Sequence, residues 1–199
     1  DGRTAFALNP LANERPAQFP SDVRDLVAWV TGGPLIDKHP FGALEAFPKG
    51  DTAPEVWILG SSNYGAQIAA HFGLPYCFAW FFSDGRGAAE AVEIYRRSFQ
   101  PSNLCQEPYV GLCVWAFAAE TEEEAQFHYS SRAKWKIFRE RGLFLPIEPP
   151  EVALQQEYDG RERERLERDR ATAFIGTPSK VMERLKCLGG EIAVDEMAL

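Results

Sequence analysis

Three times between Pro54 and Arg141, a short apolar run passes into a polar turn and then into a stretch with helical periodicity. Val56-Trp57-Ile58-Leu59 runs into Gly60-Ser61-Ser62-Asn63-Tyr64-Gly65, and Ile68, Ala69 and Phe72 then mark a helix that Gly73 and Pro75 stop. Tyr76 to Phe82 is the second run; Ser83-Asp84-Gly85 is its turn, and Ala88, Val92, Tyr95 and Phe99 form the buried stripe of the helix that follows. Tyr109 to Ala119 is the third, and Thr121-Glu122-Glu123-Glu124 after it has the form of a capping box, opening a helix to about Arg141. The later two runs lack the alternation of a sheet with one wet face, which predicts strands covered on both sides, as in parallel sheets.

The flanks extend this rhythm. Val23, Leu26, Val27 and Val30 fall on one helical face and predict a helix over 22–31, with Ser21 as its N-cap and Gly32-Gly33-Pro34 as its stop. An irregular connection broken by Pro40, Pro48 and Gly50 leads to Pro54. Residues 142–158, with Pro146, Pro149 and Pro150, read as a loop before a charged helix from Arg161 to Ala173. Thr177-Pro178 opens a last helix with Val181, Leu185 and Leu188 as its stripe, and Ile192 to Leu199 predicts a terminal strand. Strands alternating with helices require right-handed crossovers and a parallel sheet, so the expected class is α/β. A (β/α)8 barrel needs eight strands and about 250 residues. This chain supplies four, begins with a helix and ends on a strand, so the expectation is a partial TIM barrel: a fragment, or a naturally truncated half.

At 199 residues, with 45% hydrophobic side chains, the chain is long enough to bury the core of a single soluble domain. Its 21 basic and 29 acidic residues leave a net charge of −8, which opposes binding to nucleic acid or to anionic membrane surfaces. No run approaches the ~18 apolar residues of a membrane helix, and the first residues lack the basic-then-apolar pattern of an export signal. Cys77, Cys105, Cys113 and Cys187 show no paired Cys-x-x-Cys spacing, which fits a reducing cytoplasm. His39, His71 and His128 stand apart from other metal-ligand residues, so no metal is expected. Hydrolase chemistry has no Gly-x-Ser-x-Gly motif to support it. The alternating charges of Arg161 to Arg170 read as a solvated helix face.

The strongest candidate for chemistry is the turn Gly60-Ser61-Ser62-Asn63-Tyr64-Gly65, placed where a strand ends and a helix begins. Unpaired backbone N–H groups and the positive helix end gather at such a junction, and small residues let a phosphate approach the backbone. A second reading is open: Ser62 or Asn63 caps the helix and Gly60 makes the turn. The spacing is not Gly-x-Gly-x-x-Gly and no P-loop lysine follows, so neither nucleotide fingerprint applies. Trp80 and Trp115, inside the second and third runs, either line a pocket or belong to ordinary core packing.

The stretch Trp57 to Gln67, running into Ala69-Ala70-His71-Phe72-Gly73-Leu74-Pro75-Tyr76 and Phe78-Ala79, resembles the middle strands of the bacterial luciferase-like flavin monooxygenases. Glu93 to Ser102 and Phe174-Ile175-Gly176-Thr177-Pro178 are similar as well, so the resemblance runs from about Asp22 to the C-terminus. It implies the C-terminal half of that family's barrel, about four strand-helix units in one domain over 1–199. By matching position it implies an FMN phosphate at Ser61, Ser62 and Tyr64, with Gly60 close to the ring system. Cys77 and Ala79 share one strand parity, and the resemblance turns them toward the barrel interior. The Phe144 to Pro150 segment is similar to an insertion that borders the family's active-site mouth, as a lid or as a passive loop.

The activity implied is oxidation of a small organic substrate by O2 with reduced FMN supplied by a separate flavin reductase. The family's other phosphate anchor and its catalytic groups are expected in earlier strands, so the chain is expected to pair with a missing N-terminal half or with another copy. A non-catalytic flavin-binding or subunit-docking half-barrel, and a deazaflavin-dependent reductase on the same scaffold, are the alternatives.

Overall fold

A computed structural model describes residues 2–8 and 15–199. In chain order the elements begin with α1 (Gly2–Leu8), α2 (Arg15–Thr31), β1 (Ile58–Gly60), α3 (Asn63–Phe72) and β2 (Tyr76–Ala79). Next come α4 (Trp80–Ser83), α5 (Ala88–Ser98), β3 (Val110–Cys113), β4 (Ala116–Ala118) and α6 (Glu122–Glu140). The remainder is α7 (Pro150–Ala153), α8 (Gly160–Thr172), β5 (Phe174–Gly176), α9 (Pro178–Ile192) and β6 (Glu196–Ala198).

Four strands form a parallel sheet in the order β1-β2-β3-β6. Neighbours in the sheet are also neighbours among its strands along the chain, joined by helices. This is the connectivity of an arc of a (β/α) barrel. Ile58 stands opposite Tyr76, and Tyr76 opposite Val110, so one pleat face carries Ile58, Tyr76, Phe78, Val110 and Leu112 into the main core. Residues of α3, α5 and α9, among them Ala69, Val92, Tyr95 and Leu185, complete that core. The other face carries Leu59, Cys77, Gly111 and Cys113. There Leu59 is 55% exposed, so within this chain the sheet is covered on one side. Among the described residues β1 and β6 each pair on one side only. No helix among them is long and apolar enough to cross a membrane.

The four expected strands are these four, with corrections to their extent: β1 starts at Ile58, β6 starts at Glu196 because α9 runs on to Ile192, and the second and third runs change more. The second run stops at Ala79, because the chain coils into α4 and Asp84 ends that helix in the left-handed region. Gly85 then folds back on Trp80 so closely that an added Cβ would lie 2.3 Å from the indole, which no extended strand permits. The third run breaks in two. Val110–Cys113 stays in the main sheet, while Ala116–Ala118 leaves it to pair in parallel with β5, which the sequence pattern does not mark. The covered-on-both-faces expectation fails for the same sheet, since the runs are apolar on a face that this chain leaves open.

Helix limits shift for local reasons. Ser21 lies inside α2, which runs from Arg15 through Pro20, so it is not the cap. Thr121 accepts a hydrogen bond from the Glu124 N–H at 3.1 Å. The Glu124 carboxylate accepts from the Glu120 N–H instead of completing the box. A full capping box is present at α8, where Asp159 and Glu162 bond each other's backbone N–H groups.

Candidate functional site

The turn after β1 is built from both of its ends. Gly60 and Gly65 lie against each other: a Cβ added to either would sit 3.5–3.6 Å from the Cα of its partner. Beneath them is the fully buried ring of Tyr76, whose hydroxyl is 3.3 Å from the Gly60 carbonyl oxygen and 3.4 Å from that of Ser62. Burial holds the Tyr76 phenol well above its ordinary value, so it stays a donor. Ser62 occupies the N-cap position of α3 with extended backbone, yet its side chain makes no capping hydrogen bond. Neither the Ser61 nor the Ser62 hydroxyl has a partner among the described residues, and both residues are exposed. Asn63 donates its side-chain amide to Glu90 on α5 at 2.9 Å, tying the turn to the next helix. Tyr64 is largely exposed and its ring lies 6.2 Å from that of Phe19 on α2.

The arrangement suits an oxyanion. The first N–H groups of any α-helix have no intrahelical acceptor. The α3 dipole adds positive potential, and two uncommitted hydroxyls stand beside it. Of the six turn residues predicted from sequence, Gly60, Ser61, Ser62 and Gly65 form this edge. Asn63 serves the connection to α5.

Cys77 lies on the open face of the sheet, where a Cβ on Gly111 would stand 3.3 Å from its sulfur and 3.0 Å from the Trp57 ring. Burial pushes the Cys77 thiol up to about 11, so it keeps its proton at neutral pH. Ala79 shares its parity but ends the strand, where the backbone turns into α4, and it is fully buried.

A sequence profile described as luciferase-like monooxygenase matches residues 30–192. The chain belongs to the luciferase-like monooxygenase family. It is 29% identical over 197 residues to a luciferase-like monooxygenase of Escherichia coli (strain K12), covering 99% of this chain and 57% of that protein. It is 32% identical over 194 residues to the uncharacterised protein YwcH of Bacillus subtilis (strain 168), covering 97% and 58%. The crystal structure of apo-MsnO8 superimposes with a TM-score of 0.73 at 22% identity, covering 95% of this chain and 56% of the other. That likeness establishes the fold, and the chain spans a little over half the length of these relatives.

In this luciferase-like chain a second concave region lies at the same C-terminal rim of the sheet. Trp80 follows β2 directly and Trp115 separates β3 from β4; both line one pocket with Tyr129, Arg132, Asp84 and Asp169. Trp80 packs edge-on to Phe174 at 6.4 Å, and Trp115 lies 5.8 Å from the Tyr129 ring. Sequence reasoning left the two tryptophans between pocket and core and missed the polar members: Tyr129 and Arg132 on α6, Asp169 on α8 and Asp84 at the end of α4. The Phe144 to Pro150 segment, expected as a lid or a passive loop, lies beside α6, where Leu145 and Pro146 line one small cavity with Trp135 and Phe138.

Proposed function

We propose that this chain provides the FMN-phosphate seat of a flavin-dependent monooxygenase, as the C-terminal half of a luciferase-like barrel. One observation carries the reading: Ser62 has the backbone of a helix cap while its hydroxyl is not spent on capping, leaving it and Ser61 to a ligand. Ser61, Ser62 and the first N–H groups of α3 hold the phosphate, Gly60 and Gly65 keep the edge free of side chains, and Tyr76 fixes the turn from below. Cys77 offers a small, uncharged surface toward the barrel interior, with Ala79 buried behind the end of the same strand. Bound reduced FMN, renewed by a separate reductase, would supply the electrons for O2 to oxidise a small organic substrate. Family membership supports this chemistry.

Complementation tests it. The chain is titrated with FMN by fluorescence, alone and together with a polypeptide corresponding to the remaining part of a full-length relative. Tight FMN binding by the pair, with O2 uptake when a flavin reductase is added, is the expected result. Absence of FMN binding by the pair overturns it.

A second reading has its own observation. The open face with exposed Leu59, and the single-sided pairing of β1 and β6, give the chain a surface for another polypeptide. As a docking half-barrel it binds the complementing polypeptide and FMN without O2 uptake.

A further inference from the structure

The pocket between Trp80 and Trp115 contains two hydrogen-bond donors with nothing to donate to. The Arg132 guanidinium stacks on the Trp115 ring, 4.1 Å from its centroid, and has no carboxylate or hydrogen-bond partner among the described residues. Stacking uses the face of the guanidinium and leaves its in-plane N–H groups available, in the fork geometry that matches a carboxylate. Tyr129, one turn earlier on α6, is only 2% exposed, and its hydroxyl likewise has no partner among the described residues. Burial pushes the Tyr129 phenol up to about 12, so it carries its proton at neutral pH.

The carboxylates nearby are already neutralised. Lys136 stands 3.2 Å from Asp84 and 3.1 Å from Asp169, and Arg165 stands 3.7 Å and 3.1 Å from the same two. Both acids are therefore held by cations on α6 and α8, and Arg132 is the cation left over. The cavity has about 30 Å³ of free space. A water needs roughly 10–15 Å³ by the same kind of measure, so a head group of two or three heavy atoms fits and a whole substrate does not. Trp80 and Phe81 stand at the pocket with their apolar surface.

We propose that this pocket is a carboxylate-recognition subsite, in which Arg132 and Tyr129 hold the head group of a small organic acid whose carbon body lies against Trp80 and Phe81. The pocket and the turn after β1 lie at the same end of the sheet, beyond the C-terminal ends of β2 and β3 and of β1 respectively. The identification of that acid as the oxidised substrate rests on the monooxygenase reading; the subsite itself does not.

Benzoate and its neutral isostere benzamide are the probes, titrated against the 199-residue chain by tryptophan fluorescence without flavin. Saturable benzoate binding is expected, with benzamide weaker by at least about tenfold. Arg132→Gln should lose at least about tenfold in benzoate affinity, Arg132→Lys less, and Tyr129→Phe several-fold, each at an unchanged thermal midpoint. Equal binding of benzoate and benzamide by the unmodified chain overturns the proposal without any variant. So does unaltered benzoate affinity in folded Arg132→Gln. Competitive displacement of benzoate by inorganic phosphate and FMN also overturns it, because the pocket would then be the flavin's own anion site. Benzoate selectivity in a chain that fails to bind FMN when complemented leaves the subsite standing and removes the flavin reading.

Discussion

The Tyr76 hydroxyl reaches from the start of one strand to the carbonyl of Gly60 at the end of its neighbour, 3.3 Å away, and so holds the floor of the turn after β1 from within the core. Tyr76→Phe removes that donor from the part-buried bonds to the Gly60 and Ser62 carbonyls. The expected cost is about 1 kcal/mol of stability. For a chain of this size the thermal midpoint falls by about 2–4 °C. Calorimetry checks the stability, and FMN titration of the complemented barrel should show several-fold weaker binding.

Ser62 separates two roles that usually coincide. A serine that caps a helix costs about 1 kcal/mol when replaced by alanine. Because the Ser62 hydroxyl makes no capping bond, Ser62→Ala should lower stability by less than about 0.5 kcal/mol in urea unfolding. Its FMN affinity should fall nevertheless. Ser61→Asp places a negative charge beside the phosphate, and like charges at about 4 Å repel by several kcal/mol near a surface. FMN binding at least about tenfold weaker is expected, and unchanged affinity would remove the phosphate from this turn.

Gly73 ends α3 in the left-handed region at φ +59, with the Gln100 carbonyl oxygen 2.4 Å and the Ser102 nitrogen 2.9 Å from where a Cβ would stand. Both obstacles are backbone, so they yield only if the 100–102 segment moves. Gly73→Ala should cost about 2–4 kcal/mol, combining left-handed strain with the clash. A loss of roughly 4–16 °C in the thermal midpoint is expected, and a change under about 1 °C would refute the packing described.

Glu122 joins the start of α6 to the start of α9. It accepts from Lys180 at 2.6 Å and from the Thr177 N–H at 2.9 Å, and these bonds hold its carboxyl below the ordinary value of 4.5. A group with a lowered folded pKa contributes stability that is present above 4.5 and lost as pH falls through the lower folded value. Glu122→Gln should therefore be less stable than the parent at neutral pH and lose less on acidification. Thermal midpoints measured at about pH 6 and about pH 3 give the comparison.

The parallel arc was legible because each of its first three strands overlaps an apolar run longer than itself that is followed by a helix stripe. The fourth was marked by its place after the α9 stripe. Trp80–Ser83 and Phe174–Gly176 were not legible, since three or four residues take their state from tertiary partners: an indole seated on Gly85, and β4. The turn after β1 was visible as a strand-helix junction. Whether Ser62 caps was not, because the same sequence serves either orientation of its hydroxyl. Arg132 and Tyr129 carry no sequence signal that sets them apart from the rest of α6. Their meeting with Trp115 depends on how α6 returns across the end of β4.

The β4–β5 pairing has a practical consequence for protein engineering. Everything from 119 to 173 leaves and re-enters the barrel through this two-stranded clasp, whose parallel bonds close the base of the excursion. The segment is thus a cassette: swapping it between homologues exchanges the Arg132 and Tyr129 wall while the four-stranded register from Ile58 to Ala198 keeps its own hydrogen bonds.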